Sequence, residues 1–320
     1  MRALITGVAG FIGSTLADAL LARGDRVLGV DCFTPYYERA PKDANLGDAR
    51  RSDRFELVED DLRSCDIDAL LDGVDVVFHQ AGQPGVRLSW SDGFEEYAGH
   101  NVLATQRMLE AAKRAGNTKV VYASSSSVYG NAAAYPTTEE ALPRPHSPYG
   151  VTKLAAEHLC NLYAENWHLP TISLRYFTVY GPRQRPDMAM HRLLAATLSG
   201  EPFPLYGDGS AVRDFTYVDD AVAANIAAAE HDCAPGTVVN VAGGSSITMS
   251  DLLALTTDVL GRPPLVDRQP SQPGDVARTG GAIDRARALL NWRPYTDLRT
   301  GLTAQASWHR DRTLDGAHLD

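Results

Sequence analysis

The chain has 320 residues, of which 44% are hydrophobic and 22% are charged, and its formal net charge is −10 at pH 7. This composition is ordinary for a water-soluble globular protein, and the length predicts a sizeable core with two lobes of unequal size. The negative charge argues against nucleic acid or an anionic membrane as a partner, although it leaves room for a local basic pocket.

Short apolar runs alternate with longer helical patterns in the first half of the chain. Strands are predicted at residues 2–6, 26–30, 55–59, 75–79, 119–124 and 171–176, and helices at 12–23, 93–115 and 149–167. Such alternation is typical of a parallel α/β sheet covered by helices on both faces. The segment 34–54 is rich in charge and in Pro, and we interpret it as a long excursion or a lid.

The pattern changes after about Phe177, where Pro and Gly become frequent and short strands and helices mix. We predict one lobe at residues 1–177 and a smaller, mixed C-terminal lobe at residues 178–320. A helix at 218–230 and a strand near 237–241 are expected to return to the main sheet.

The glycine-rich stretch LITGVAGFIG places Gly7, Gly10 and Gly13 after the first strand and at the start of a helix. Glycines there allow a tight turn and the close approach of a pyrophosphate to the helix N-terminus. The second strand ends in Asp31, whose carboxylate can bind both adenosine ribose hydroxyls and would repel a 2′-phosphate. The stretch therefore predicts NAD rather than NADP. Its spacing, G-x-x-G-x-x-G, departs from the commoner pattern, and the alternative is a structural turn beside a surface Asp.

The stretch SPYGVTKLAAEHL carries Tyr149 and Lys153 on one face of a helix that we expect Pro148 to begin. An ammonium beside a phenol lowers the phenol pKa, so the pair can supply a base for oxidation of a hydroxyl. Taken alone, the two residues fit a solvated surface pair equally well. Upstream, the buried strand in VVYASSSSVYG ends in four serines, which is more hydroxyls than a turn requires.

These motifs resemble those of the extended short-chain dehydrogenase/reductase family, specifically its nucleotide-sugar epimerases and dehydratases. The matching motifs, in family order over nearly the whole chain, are TGVAGFIG, DDLRS, HQAG, HNVLAT, SSSSVYG, SPYGVTK, RYFTVYGPRQRP and RDFTYVDD. The resemblance implies a Rossmann-type doubly wound parallel sheet that binds NAD, and a smaller lobe that binds a UDP-sugar.

The resemblance also implies roles for individual residues. Ser125, Tyr149 and Lys153 are the catalytic residues, with Tyr149 as the acid/base. The cofactor-binding residues are Gly7, Gly10, Phe11, Ile12, Gly13, Asp31, Asp61, Leu62, Gln80, Ala81, Gly82, Asn101, Tyr149, Lys153 and Tyr176. The substrate-binding residues are Arg87, Ser125, Ser126, Ser127, Tyr149, Thr178, Arg185, Arg192, Tyr206, Arg213, Gln272 and Asp275.

The residues after Ser125 bear on the reaction. The family's 4,6-dehydratases carry an Asp–Glu pair there, whereas this chain has Ser126–Ser127, which disfavours dehydration. What remains is oxidation at C4, rotation of the keto sugar and reduction from the other face. QPGVRLS, RYFTVYGPRQRPDMAMHR and SQPGDV resemble the uronate 4-epimerase branch, whose substrate is UDP-glucuronate. Gln272 fits that branch, because many glucose-type epimerases have a phosphate-binding Arg there.

A C6 carboxylate needs several hydrogen-bond donors. Ser126, Ser127, Thr178 and either Arg185 or Arg192 can supply them, the two arginines sharing one side if Pro186 begins a helix. The 4-keto uronate is a β-keto acid that loses CO₂ when its C5–C6 bond stands perpendicular to the carbonyl plane. Our hypothesis is that the serines belong to a clamp that prevents this alignment. The alternatives are serines that only satisfy the turn backbone, and arginines that bind only diphosphate or face solvent.

Other functions and features stay open at this point. The alternatives are a UDP-glucose 4-epimerase, a UDP-glucuronate decarboxylase and a non-catalytic NAD-sensing regulator. The family commonly forms homodimers through the helices at 93–115 and 149–167, where Val102, Leu109, Leu159 and Leu162 are apolar. Tyr36 and Tyr37 either border the active site or pack. His79 is interpreted as a packed histidine and His100 as an exposed or supporting group.

The cysteines, histidines and N-terminus give expectations about location and metals. The four cysteines form no C-x-x-C pair, which favours free thiols in a reducing cytoplasm. MRALITGVAGFIG lacks the features of a signal peptide, and no apolar run is long enough for a membrane span. No metal site is expected, because no H-x-x-x-H pair stands near a carboxylate.

Overall fold

A computed structural model describes residues 1–116 and 118–316, which form two lobes of secondary structure around separate cores. The strands are β1 (Arg2–Thr6), β2 (Arg26–Asp31), β3 (Phe55–Glu59), β4 (Val76–His79), β5 (Lys119–Ser125), β6 (Thr171–Tyr176), β7 (Thr178–Tyr180), β8 (Pro202–Tyr206), β9 (Val212–Tyr217), β10 (Thr237–Val241), β11 (Ser246–Thr248) and β12 (Leu265–Gln269). The helices are α1 (Phe11–Ala22), α2 (Arg39–Asn45), α3 (Ile67–Leu70), α4 (Phe94–Tyr97), α5 (Ala104–Ala115), α6 (Pro148–Trp167), α7 (Ala189–Ser199), α8 (Val218–Glu230), α9 (Met249–Leu260), α10 (Asp284–Leu290) and α11 (Leu298–Gly316).

The main sheet has seven parallel strands in the order β10-β6-β5-β4-β1-β2-β3. The predicted doubly wound parallel sheet is therefore confirmed, and β10 returns to it beside β6 as expected. The strand order reverses between β1 and β4, where Thr6 pairs with His79. Loops that leave adjacent strands in opposite directions open a crevice at their carboxyl ends. That crevice is where the site residues of the first lobe meet.

Alternate residues of the strands pack on opposite faces of this sheet. Ile5 and Phe78 belong to the core beneath α1 and α8, whereas Leu4 and Val77 belong to the core beneath α5 and α6. All four side chains are fully buried. The near-continuous apolar runs of the sequence reflect this coverage of both faces.

The second lobe contains a three-stranded mixed sheet, β11-β9-β7, and the parallel pair β12-β8. Its core includes Tyr180, Leu193, Phe215, Leu252 and Leu302. The expected smaller mixed lobe is present, while the boundary between residues 177 and 178 stays a prediction. Among the residues described, no helix is long and apolar enough to cross a bilayer.

Two predicted helices differ from the structure. The helix predicted at 93–115 is divided by a π-helical turn, Ala98–Leu103, which carries Asn101 into the interior. Such wide turns occur frequently at functional sites. The predicted helix start at Pro186 is wrong, because α7 begins at Ala189 after an extended Met188. Arg185 therefore lies in a loop and Arg192 in a helix, so the argument that they share a side does not hold.

The buried His79 joins β4 to β1 and α5 as a neutral imidazole. Thr105 Oγ1 donates to the Asn101 carbonyl at 2.7 Å, so it accepts the hydrogen of His79 Nε2 at 3.0 Å. Nδ1 then accepts from Thr6 Oγ1 at 2.8 Å, and this hydroxyl in turn accepts from the Ala81 N–H at 3.0 Å. The interpretation of His79 as a packed histidine is confirmed, and its chain of hydrogen bonds fixes the loop after β4.

This arrangement predicts acid sensitivity. Burial lowers the pKa of His79 from 6.5 to about 3. The unfolded chain therefore binds the extra proton between these pH values, and stability falls as the pH falls below 6.5. We expect His79 to remove about 2 kcal/mol of unfolding free energy between pH 7.5 and pH 5.0. Urea unfolding at both pH values measures this loss.

His79→Gln should show a pH-dependent loss that is smaller by about that amount. The exposed His158→Gln is the matched control and should keep the wild-type difference. Equal losses in His79→Gln and in the wild type would contradict a buried neutral imidazole.

Candidate active site

The turn between β1 and α1 can be made only by small residues. Gly7 has φ +67°, a left-handed conformation that favours glycine, and its N–H bonds the Val30 carbonyl at 2.8 Å. A Cβ on Gly13 would lie 2.3 Å from the Gly7 oxygen, so α1 can start close to the turn only with glycine there. Gly10 precedes α1 without a side-chain cap, which leaves helix N–H groups available to an anion.

Asp31 ends β2 beside this turn. Its Oδ2 accepts from the Ala9 N–H at 3.0 Å and its Oδ1 from the Phe33 N–H at 2.8 Å. Burial raises the pKa of Asp31, and these two hydrogen bonds oppose the rise. The glycine turn and a fixed carboxylate at the end of the second strand fit the pyrophosphate and ribose of a dinucleotide.

All the predicted cofactor-binding residues line one cleft at the carboxyl ends of β1, β2 and β4. The cleft is also lined by residues that the sequence did not assign to it, among them Thr34, Lys42, Gln83, His100, Ser124 and Arg185. Tyr36 and Tyr37 also line the cleft. Of the two alternatives left open for them, bordering the site or packing, the structure supports the first. His100 is buried, which excludes the exposed alternative and leaves the supporting one, and its Nε2 lies 3.2 Å from Glu96 Oε2.

Asn101 holds the loop after β4 in place. Its Oδ1 accepts from the Gln83 N–H at 2.7 Å, while its Nδ2 donates to the Gln83 carbonyl at 3.1 Å and to Thr152 Oγ1 at 2.9 Å. A Cβ on Gly82 would lie 2.7 Å from Asn101 Oδ1 and 3.8 Å from Lys153 Nζ. The loop after β4, the Asn101 amide and the Lys153 ammonium can therefore lie this close together only because residue 82 has no side chain.

Asn225 was not predicted from the sequence as a residue of the site. This fully buried residue of α8 accepts from Gln80 Nε2 and from Tyr176 OH, both at 2.9 Å. Gln80 and Tyr176 were predicted to bind the cofactor, and the hydrogen bonds of Asn225 fix both of these side chains from α8. No local signal marks it, because α8 enters the main lobe from the far end of the chain.

The predicted catalytic residues meet where β5 ends. Ser125 Oγ accepts from the Ser127 N–H at 3.1 Å. Burial raises the pKa of Tyr149, while the nearby Ser125 hydroxyl and the positive charge of Arg185 lower it. The sequence predicted that Lys153 lowers this pKa, and that role stays a prediction, while the structure adds Arg185 as a cation that lowers it.

Lys153 is buried, with its Nζ 4.6 Å from the centre of the Tyr122 ring. Burial lowers the Lys153 pKa to about 8, against the opposing effects of Cys160 and Glu157. The ammonium form therefore still predominates at neutral pH. Its place near Gly82 lets it reach a ligand at the inner end of the cleft.

The four serines face in different directions. Ser124 Oγ donates to Glu157 Oε2 at 2.6 Å, and Glu157 pairs with Arg175 at 2.6 Å in the interior, so Ser124 anchors the end of β5. Ser126 and Ser127 instead line a second cavity. The other predicted substrate residues in that cavity are Thr178, Arg213 and Asp275.

Arg87, Tyr206 and Asp275 lie together at the side of this second cavity. The Arg87 guanidinium lies 3.9 Å from the centre of the Tyr206 ring, and its Nη2 is 3.4 Å from Asp275 Oδ2. Gln272 is nearby in sequence and donates to the Pro270 carbonyl at 3.2 Å. Arg192 is absent from the described residues that line either cavity.

Arg185 lines the first cleft, as does Tyr149. Asp187 accepts from its Nε at 3.0 Å and from its Nη2 at 3.1 Å. Tyr36 OH, from the excursion after β2, donates to the same carboxylate at 3.2 Å. Of the two predicted arginines, Arg185 alone is among the described residues that line the first cleft with Tyr149.

One group of potential metal ligands occurs among the described residues. Cys32, Asp61 and His100 have ligand atoms within 4.8 Å of one another. Arg63 pairs with Asp61 at 2.8 Å, so a guanidinium already neutralises that carboxylate. The group lines the first cleft, next to Leu62, which the resemblance assigns to cofactor binding.

Comparison with known proteins gives consistent results. Residues 3–242 match the NAD dependent epimerase/dehydratase family. A Bacillus subtilis relative named as an uncharacterized UDP-glucose epimerase, YtcB, is 40% identical over 309 residues, covering 96% of this chain and 98% of the relative.

Two solved proteins are also similar. The Bacillus cereus UDP-glucuronic acid 4-epimerase in complex with UDP-glucuronic acid and NAD is 40% identical, with a TM-score of 0.94 over 98% of this chain and 100% of that one. MoeE5, solved with UDP-glucuronic acid and NAD and with UDP-glucose and NAD, is 41% identical over 98% of this chain and 100% of that one, with a TM-score of 0.88.

The Gly82 contact yields a test of the cleft. In Gly82→Ala the new methyl group must displace Asn101 Oδ1, which lies 2.7 Å away. Overpacking of this kind costs about 1–3 kcal/mol, so we expect affinity for NAD to fall by roughly 5- to 150-fold. Calorimetric titration of the stripped protein with NAD measures this change. Gly47→Ala, where the nearest atom lies 3.3 Å away, is the control, and equal affinities for the two variants would refute the role of the contact.

Proposed function

The chain belongs to the NAD dependent epimerase/dehydratase family, and on this basis we propose that it is an isomerase that inverts C4 of UDP-glucuronate. The product is UDP-galacturonate, and the route passes through a transient 4-keto sugar. The observation that carries the proposal is that Tyr149, whose pKa is lowered by Ser125, lines the first cleft, while Ser126 and Ser127, the next residues after Ser125, line the second cavity. One cavity fits NAD and the other a UDP-sugar.

The chemistry that NAD supplies when bound is reversible acceptance of the hydrogen on C4 with its electron pair. The glycine turn and Asp31 hold the adenosine half, and Lys153 holds the nicotinamide ribose. Tyr149 removes the proton of the 4-hydroxyl, and Ser125 keeps that oxygen in line by a hydrogen bond. After the keto sugar has rotated and C4 has been reduced from its other face, Tyr149 returns the proton to the 4-oxygen. The 4-hydroxyl of the product therefore has the inverted configuration.

The protonation states of the cleft support this role. A cation near a buried phenol favours the phenolate, and Arg185 provides one beside Tyr149. Burial alone raises the pKa of Tyr149, so the phenol stays protonated until positive charges surround it. In this proposal Lys153 adds its ammonium from the cofactor side.

The UDP part of the substrate belongs in the second cavity. Arg213 and Arg87 are the cations for the diphosphate, and Asp275 accepts ribose hydroxyls. Tyr206 offers its ring to the uracil, a position over which the Arg87 guanidinium now lies. Arg87 thus moves from the ring toward the diphosphate when the nucleotide binds.

The C6 carboxylate is assigned to Ser126, Ser127, Thr178 and Arg185. The first three line the second cavity where it approaches Ser125, and Arg185 enters from the first cleft. Hydroxyls and a guanidinium on two sides of a carboxylate fix its plane. A fixed plane keeps the C5–C6 bond out of alignment with the 4-keto group, which prevents loss of CO₂.

UDP-glucose is the second candidate substrate, favoured by MoeE5, which has been solved with that sugar as well. The serine and threonine hydroxyls can also hold a C6 hydroxymethyl group. The proximity of Arg185 to Tyr149 favours the uronate, because a guanidinium makes a stronger, charge-assisted hydrogen bond with a carboxylate than with a hydroxymethyl group.

Turnover of UDP-glucuronate tests the proposal. We expect UDP-galacturonate to form without release of CO₂. Proton NMR of the reaction mixture measures the formation of this product. Tyr149→Phe should lower kcat by at least about 10³-fold, because the proton then has no acceptor. A pentose product would assign decarboxylation, turnover of UDP-glucose alone would assign the neutral sugar, and full activity of Tyr149→Phe would overturn the catalytic assignment.

We also propose that the enzyme is a homodimer formed through α5 and α6. Leu103, Val151, Leu162 and Trp167 are about half exposed on the helices of this face, and a second copy would cover them. Of the apolar residues expected there, Leu109 is instead fully buried in the core and Leu159 packs against it. A cytoplasmic location is part of the proposal, because all four cysteines are free thiols.

The dimer proposal predicts the effect of a surface charge. Leu162→Lys places a cation on an apolar face that we expect to be buried between copies, so it should shift the protein to a monomer. Sedimentation velocity at micromolar concentration measures the shift. Leu142→Lys, at a residue 69% exposed outside these helices, is the control. A wild-type monomer, or a Leu162→Lys dimer of unchanged affinity, would contradict the proposed interface.

A further inference from the structure

The loop that carries Arg185 is held by one buried side chain, Gln184. Its Nε2 donates to the Val179 carbonyl at 2.9 Å, and its Oε1 accepts the His191 N–H at 2.9 Å. His191 is in the first turn of α7, where the N–H groups lack partners within the helix. The Gln184 carbonyl also accepts from His191 Nδ1 at 2.8 Å. Gln184 thereby joins β7 to the start of α7 immediately before Arg185.

The C-terminal helix α11 contributes a second glutamine to this loop. Gln305 Oε1 accepts the Gly181 N–H at 3.0 Å, and Gln305 Nε2 donates to Gln184 Oε1 at 2.8 Å. Gln184 is 2% exposed and Gln305 is fully buried. One amide therefore bridges both ends of the turn from Gly181 to Gln184. Gln305 is not among the described residues that line either cavity.

These contacts leave the loop little freedom at its inner end. Gln184 Oε1 accepts two hydrogen bonds at the same time, one from the His191 N–H and one from Gln305 Nε2. On the other side of the loop, Asp187 accepts both hydrogen bonds of the Arg185 guanidinium, and Tyr36 donates to that same carboxylate. The place of Arg185 relative to Tyr149 thus depends on α11 at its backbone and on the excursion after β2 at its side chain.

We propose that Gln305 is a positioning residue that sets where Arg185 meets the substrate, and so sets the preference for a C6 carboxylate over a C6 hydroxymethyl group. This inference rests on the proposed function. Gln305 acts through the turn 181–184 and touches neither substrate nor cofactor. Its amide is needed rather than its volume, because one end accepts and the other donates.

The physical reason is that a charged contact depends steeply on position. Without the Gln305 amide, the Gly181 N–H and Gln184 Oε1 lose a buried partner, and the turn must shift to find another. A shift of about 1 Å in a group that orients substrate can cost about 10²-fold. A ligand without a carboxylate makes no ion pair with Arg185, so its binding is insensitive to the shift.

Gln305→Met tests the inference, since it keeps the length of the side chain and removes both hydrogen bonds. We expect kcat/KM for UDP-glucuronate to fall about tenfold, while the inhibition constant of UDP-glucose stays within about twofold of the wild type. Bound NAD and the melting temperature check that the variant is folded. Gln305→Glu, which keeps an acceptor for Gly181 and loses the donor to Gln184, gives the same test should Gln305→Met not fold.

Thr303→Ala is the matched control on the same helix, since its exposed hydroxyl bonds only the Arg299 carbonyl of α11. It should leave both constants unchanged. Equal weakening of UDP-glucuronate and UDP-glucose by Gln305→Met, or no weakening of either, would overturn the positioning role alone. A wild-type protein that does not convert UDP-glucuronate would overturn the proposed function and this inference with it.

Discussion

The buried ion pair between Glu157 and Arg175 fixes the relation between helix α6 and the end of β5. Tyr149, Lys153 and Glu157 follow one another at intervals of four along α6, so they share one face of that helix. Glu157 is bound by Arg175 of β6 through two nitrogens and by Ser124 of β5. A rotation of α6 would break these bonds and leave buried charge unpaired, which is strongly unfavourable. The distance between Tyr149 and Ser125 is therefore set from the interior of the protein.

Burial then acts in opposite directions on the two titratable groups of this face. It raises the pKa of the Tyr149 phenol and lowers that of the Lys153 ammonium to about 8, because both charged forms lose hydration. Positive charge from another element opposes the rise in the Tyr149 pKa, because Arg185 lies on the loop before α7. The same guanidinium is suited to a substrate carboxylate. In the proposed function, acid/base chemistry and substrate choice thus depend on one loop, the segment between β7 and α7.

The sequence predicted the parts of the site that local signals encode. The glycine turn, Asp31 at the end of β2 and the Tyr149–Lys153 pair follow from residues close together in the chain, and the family resemblance placed Ser125 beside them. The structure brings these residues into one place. The strands were predictable because apolar runs flanked by turns are a strong pattern.

The missing parts depend on residues far apart in sequence. Asn225, Gln305 and the partners of Arg185 are ordinary polar residues until the fold buries them, and no spacing marks them. The predicted start of α7 failed for a related reason: Pro186 is compatible with a first helical turn, but Asp187 is used to bind Arg185 instead. The π-helical turn at Asn101 is likewise set by its contact with Gln83 and Thr152 rather than by its own sequence.

The central claim is that one buried site removes hydrogen from C4 of a UDP-hexuronate and returns the same hydrogen to the opposite face. Conversion of UDP-glucuronate deuterated at C4, in ordinary water, tests this most directly. The account predicts UDP-galacturonate that retains its deuterium at C4 and no released CO₂. Loss of the deuterium to solvent, or a pentose product, would contradict it.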